Sequence, residues 1–140
     1  MTTRGRVGVL MGGPSSEHAI SLKSGHGVLE ALTRRGWEAL PLEIPQELPV
    51  EQARALTRAW LAQQRIRVAF IALHGPFGED GTVQRVCEDL GIAYVGSGVE
   101  ASQLGLDKVA SRARFEAAGL RVPRWRLLTL DDHAAWQAAA

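Results

Sequence analysis

Three short apolar runs each end in a glycine-rich loop followed by helical spacing, and this alternation constrains the fold more than any other feature. Arg6 to Met11 enters Gly12-Gly13-Pro14, Arg67 to Leu73 enters His74 to Gly81, and Ile92 to Val95 enters Gly96-Ser97-Gly98. A short apolar run bounded by turn residues is a buried strand. The run Val68 to Leu73 is unbroken, as expected of a central parallel strand covered on both faces. Glu38 to Ile44 adds a further strand and Trp125 to Leu128 a last one.

Between the strands the apolar residues recur at helical spacing. Leu22, Gly25, Val28, Leu29 and Leu32 mark a helix that Gly36 closes, entered through Ser15 or Ser16 as cap with Glu17 in its first turn. Pro45 and Pro49 frame a loop before a helix over 51–64, with Leu56, Trp60 and Leu61 on its apolar side. Further helices are predicted over 82–90, 99–104 and 107–118, and Thr129 to Asp132 resembles the entrance of another. Strands alternating with helices predict an α/β fold, a parallel sheet with helices on both faces. The three distinctive loops then share the rim formed by the strands' carboxyl ends, where ligands gather.

Composition narrows the function. A length of 140 residues suits one domain, and a net charge of +1 gives no electrostatic footprint for nucleic acid or an anionic membrane. No apolar run approaches the roughly 18 residues of a membrane span, and the apolar stretch after the basic start is too short for a signal peptide. One cysteine, Cys87, excludes an intrachain disulfide. A soluble cytoplasmic protein is expected. The alanine-rich end, 134–140, has no helix stop, as in a chain cut from something longer.

Each loop admits two readings. Gly12 and Gly13 permit close backbone approach, and the helix start after them offers N–H groups to an anion; the same residues make a plain strand-to-helix turn. Without Gly-Lys-Ser/Thr at the required spacing they are not a nucleotide P-loop. Glu17 is suited to a substrate ammonium, or simply to the helix dipole. His74 is either a ligand group or a histidine bonded to nearby backbone. Asp80 fits an N-cap, and Glu79 is solvated or paired with an arginine. His18, His26 and His133 are scattered, and no metal-ligand spacing occurs. Gly96-x-Gly98-x-x-Ala101 loosely matches a dinucleotide fingerprint with Glu116 downstream, on a late strand. Lys108 opposes a helix dipole, so it either meets a phosphate or acid or is solvent-exposed. Cys87, with no activating base, is a core residue rather than a nucleophile, and the tryptophans serve packing.

Together, "GGPSSEHAISLKSG", "LHGPFGEDGTVQ" and "YVGSGVEASQLGLDK" resemble the N-terminus of D-alanine–D-alanine ligases, ATP-grasp enzymes of peptidoglycan precursor synthesis, over about residues 6–128. The resemblance implies a Rossmann-like substrate-binding domain over 1–128, and a segment 129–140 starting the link to an ATP-grasp domain. It implies that Glu17 holds and orients the first D-alanine through its ammonium, that His74 lies near the substrate carboxylate, and that Gly12 and Gly13 allow close approach. Lys108 corresponds to a lysine reaching the nucleotide. ATP, with magnesium or manganese, would be bound mainly by a C-terminal part outside these 140 residues, and a homodimer is implied. Catalysis and tight ATP binding are not expected of the 140 residues alone. Ala19-Ile20 and Gly105-Leu106 depart from the family pattern by small or apolar changes. A ligand-binding or regulatory domain of the same fold without enzymatic activity is the alternative.

Overall fold

The computed structural model describes residues 5–129. Residues up to Leu106 form one compact unit and those from Asp107 onward a second. The first unit alternates β1 (Val7–Gly12), α1 (His18–Arg34), β2 (Ala39–Ile44), α2 (Val50–Gln63), β3 (Val68–Ile71), α3 (Thr82–Asp89), β4 (Ala93–Val95) and α4 (Val99–Leu106). All strand pairings are parallel, in the order β2-β1-β3-β4. The expected α/β fold with a parallel sheet is therefore the observed one.

Strand position follows from composition. β1 is buried at every residue and takes the centre, with Val7 paired to Ala39 of β2 on one side and to Val68 of β3 on the other. β2 carries Pro41, which lacks an N–H, and lies at an edge where one side of the backbone needs no ladder partner.

Alternation along β1 sends successive side chains to opposite faces. Val9 and Met11 pack with Ala72 against Leu22, Val28, Leu29 and Leu32 of α1. Leu10 enters the other core layer, with Ala53 and Leu61 of α2 and Val83, Val86 and Cys87 of α3. Helices thus cover both faces, as right-handed crossovers to either side of β1 require.

Two expectations need correcting. In α2, Leu56 is exposed, and the buried stripe is Ala53, Thr57 and Leu61, with Trp60 partly buried beside it. Thr57 can occupy that stripe because its hydroxyl donates to the Ala53 carbonyl at 2.8 Å, leaving its methyl to the core. Residues 125–128 form no strand. In the second unit, after α5 (Lys108–Ala117), Trp125 instead donates its indole N–H to Glu116 at 3.3 Å and lies under the Arg112 guanidinium, 5.6 Å from the ring centre. The helix expected from Thr129 to Asp132 falls, apart from Thr129, outside the described residues, as do His133 and the alanine-rich end.

Cys87 is buried in α3, and burial, with the neighbouring Glu88 carboxylate, pushes its thiol from 9.0 up to about 11. The thiolate needed for reaction is suppressed. A thiol reagent at pH 8 should therefore leave the folded protein unlabelled and modify it once denatured. Between pH 9 and about 11 the unfolded thiol ionises while the buried one keeps its proton, so stability falls as pH rises through that window. A pH series of urea melts checks the sign.

Candidate functional site

The chain leaves β1 for β2 on one side and reaches β3 on the other, so the strand order reverses between β1 and β3. A crevice opens at such a switch point, beyond the carboxyl ends of the strands. The loops after β1 and β3 meet there.

In the first loop Gly12 and Gly13 both have left-handed backbones, φ +82° and +88°. A Cβ on Gly12 would stand 2.6 Å from the Ile44 carbonyl oxygen and 2.9 Å from the His18 ring; one on Gly13 would stand 3.0 Å from Leu73. The close approach these glycines permit is thus to β2, α1 and the segment after β3 of the protein itself. The Gly13 carbonyl accepts from Ser15 N–H at 2.9 Å and lies 2.9 Å from His18 Nδ1. His18 is thereby part of the turn.

Neither Ser15 nor Ser16 is the expected cap of α1, because Glu17 holds the N-cap position; Ser15 braces the turn before it. Ser15 Oγ accepts the Glu17 N–H at 3.1 Å and the Ser15 carbonyl the His18 N–H at 3.2 Å. Those two N–H groups are therefore engaged within the loop. Glu17 occupies the N-cap position of α1, just ahead of the first turn where it was expected, and its side chain caps nothing. Among the described residues none hydrogen-bonds or ion-pairs with the exposed Glu17 carboxylate. Its Oε2 hangs over the second loop, 2.8 Å from where a Cβ on Gly75 would stand.

The second loop is internally braced. Gly75 N–H donates to Glu79 Oε2 and Glu79 N–H to the Gly75 carbonyl, each at 2.9 Å. Asp80 accepts from Phe77 N–H and from Thr82 N–H at the start of α3, again at 2.9 Å. The N-cap of α3 is Gly81 rather than the expected Asp80, which stands one residue earlier and braces the turn into the helix through Phe77 and Thr82 N–H. Glu79 holds the loop rather than being merely solvated or paired with an arginine. Phe77 has φ +75°, unusual for a bulky side chain, and its ring is fully buried in the core. Burial of the ring and the bond to Asp80 hold this strained backbone in place. Gln84 of α3 donates from Nε2 to the Gly78 carbonyl at 2.7 Å.

His74, half-buried at the head of this loop, lies 3.4 Å from Ser24 Oγ of α1 through Nε2 and 4.0 Å from Glu79 through Nδ1. Its neighbours are thus side chains rather than the nearby backbone. The structure brings Gly12, Gly13, Glu17 and His74 together in the two neighbouring loops after β1 and β3. The Gly96–Gly98 turn follows edge strand β4, one strand removed from the switch point. Lys108 is exposed in the second unit, opening α5 behind Asp107, whose Oδ1 accepts from Val109 and Ala110 N–H at 2.9 and 3.0 Å. His26 is a surface residue 3.4 Å from Glu43.

Sequence inspection assigned no role to Ser21 or Gln84. Both lie inside quoted motifs, but their only local signal is a polar residue on an otherwise buried helix face. Among the described residues no group of three or more His, Cys, Asp or Glu could hold a metal ion, so these residues do not fit a magnesium or manganese site. No helix among them is long and apolar enough to cross a membrane.

A family profile described as D-ala D-ala ligase N-terminus matches residues 6–60 and 46–97. The chain is 47% identical over 127 residues to a D-alanine–D-alanine ligase of Desulforudis audaxviator, covering 91% of this chain and 39% of that protein. It is 48% identical over 135 residues to one of Laribacter hongkongensis, covering 96% and 41%. A solved D-alanine–D-alanine ligase of Bacillus anthracis, complexed with ATP, superposes with a TM-score of 0.73 at 34% identity, covering 91% of this chain and 42% of that one. The chain thus spans about two fifths of the length of these relatives.

Proposed function

The chain belongs to the D-alanine–D-alanine ligase family, matching its N-terminal part, and from that premise we propose that residues 1–128 supply the D-alanine-binding domain of an ATP-dependent ligase. The observation that carries this is the Glu17 carboxylate, without a partner among the described residues, standing over Gly75 where the loops after β1 and β3 meet, with His74 beside Gly75. A carboxylate is matched to the ammonium of an amino acid, and the imidazole with the start of α1 to its carboxylate.

Held this way, one D-alanine presents a carboxylate oxygen to the γ-phosphorus of ATP. The new O–P bond forms as the bond to ADP breaks, giving an acyl phosphate. The amine of a second D-alanine attacks the acyl carbon, phosphate departs with the C–O bonding pair, and the amine loses a proton. Glu17 acts in this scheme by orientation, restricting the first D-alanine before reaction. Lys108 is proposed to reach the nucleotide. The ATP-clamping elements and the magnesium or manganese site belong to the further part of the ligase. Homodimer formation, a cytoplasmic location beside the ATP supply, and a dipeptide product used in peptidoglycan precursors complete the proposal.

Phosphate release tests it. The complete ligase carrying this domain should release phosphate only when ATP and D-alanine are both present, and the 140 residues alone should release none. D-alanine-dependent release by the 140 residues would overturn the division of labour; its absence from the complete protein would overturn the ligase assignment.

A further inference from the structure

We propose that Ser21 is a positioning residue whose hydroxyl replaces one rung of the β1/β3 ladder and thereby sets the width of the crevice. β1 and β3 are paired through Leu10 and Ile71, and the ladder continues one rung further, where Ala72 N–H donates to the Leu10 carbonyl at 2.9 Å. In a parallel ladder the next rung runs from Gly12 N–H to the Ala72 carbonyl. Here Gly12 N–H donates instead to Ser21 Oγ at 2.8 Å, and that same hydroxyl donates to the Ala72 carbonyl at 2.8 Å. A single backbone bond of about 2.9 Å is thus replaced by a two-bond relay. At this rung the two strand ends are joined through one intervening oxygen.

The relay demands a group that accepts and donates through one small atom, which a hydroxyl does. Ser21 is fully buried, so the two backbone groups it satisfies are shielded from competing solvent. It lies in the first turn of α1, and its own N–H donates to the Glu17 carbonyl at 2.9 Å. One residue therefore ties the Glu17 turn to the ends of both strands. Beyond it the two loops face each other, Gly13 beside Leu73 and Ser15 and Glu17 over Gly75. The spacing is a property of the fold; its kinetic consequence rests on the ligase assignment proposed above.

Nuclear magnetic resonance of the isotope-labelled 140-residue chain tests the rung directly. Through-hydrogen-bond coupling between the Gly12 amide nitrogen and the Ala72 carbonyl carbon should be absent in the wild type and appear in Ser21→Ala, as the strands close by one bond. Coupling in the wild type overturns the proposal, and this measurement decides even where Ser21→Ala does not fold. A crystal structure of Ser21→Ala with water in place of the hydroxyl and unmoved strands overturns it too. In the complete ligase, Ser21→Ala should raise KM for the first D-alanine about tenfold and leave KM for ATP unchanged, with Ser21→Thr restoring much of the loss. Closed strands with an unchanged D-alanine KM overturn the positioning role. A wild-type ligase without activity refutes the ligase assignment instead, leaving the rung to the coupling measurement.

Discussion

Gly75→Ala in the complete ligase is expected to lower kcat/KM for D-alanine by about 100-fold, the scale of a misplacement of roughly 1 Å at a reacting group. Two effects act together. Gly75 has φ +69°, where an L-residue with a Cβ is disfavoured by about 1–2 kcal/mol. The added methyl would also stand 2.7 Å from Ser15 Oγ and 2.8 Å from Glu17 Oε2, inside contact distance of both. Relief swings the Glu17 carboxylate away and displaces the Ser15 hydroxyl, weakening its bond to the Glu17 N–H. Gly98→Ala is the control, because its methyl would meet nothing nearer than Tyr94 Oη at 3.8 Å. Steady-state kinetics on both variants, with urea melts alongside, separates the site effect from general destabilisation. Wild-type kinetics for Gly75→Ala would refute the juxtaposition of the loops.

Glu17→Gln should cost about 10- to 100-fold in kcat/KM for the first D-alanine, the equivalent of one charge-assisted hydrogen bond of roughly 1.5–3 kcal/mol. The amide keeps the shape of the side chain, removes its charge and turns one acceptor oxygen into a donor. Since nothing among the described residues pairs with this carboxylate, fold stability should be unchanged. The loss should fall on D-alanine and not on KM for ATP. Glu30→Gln removes an exposed carboxylate of α1, 3.3 Å from Arg34, and should leave the kinetics unaltered. Equal kinetics for Glu17→Gln and Glu30→Gln would remove Glu17 from substrate binding.

Much of the fold was legible in the chain because its determinants are local. Apolar runs of strand length, helical periodicity and the glycines that end each element are encoded within a few residues of where they act. The helix around Leu22 to Leu32 and the strand before Gly12 follow from such patterns, and both are observed. Trp125 to Leu128 misled for the opposite reason. Aromatic and aliphatic residues there have strand propensity, but strand formation needs a neighbouring ladder, and Trp125 is engaged instead by Glu116 and Arg112. Leu56 misled because a helix stripe was inferred from hydrophobicity alone, whereas Thr57 becomes compatible with burial through its bond to Ala53.

The sequence by itself determined the alternating α/β architecture, the common rim shared by its loops and the family resemblance, since these depend on order, periodicity and motif. It also nominated Glu17 and His74. Tertiary structure alone decided which acid has no partner among the described residues and which are braces. Glu17, Glu79 and Asp80 all lie in loops at strand ends, yet loop N–H groups engage only the last two. Ser21 shows the cause most clearly. Its partner Ala72 is 51 residues away, and a hydrogen bond over that separation exists only once packing has brought the two elements together.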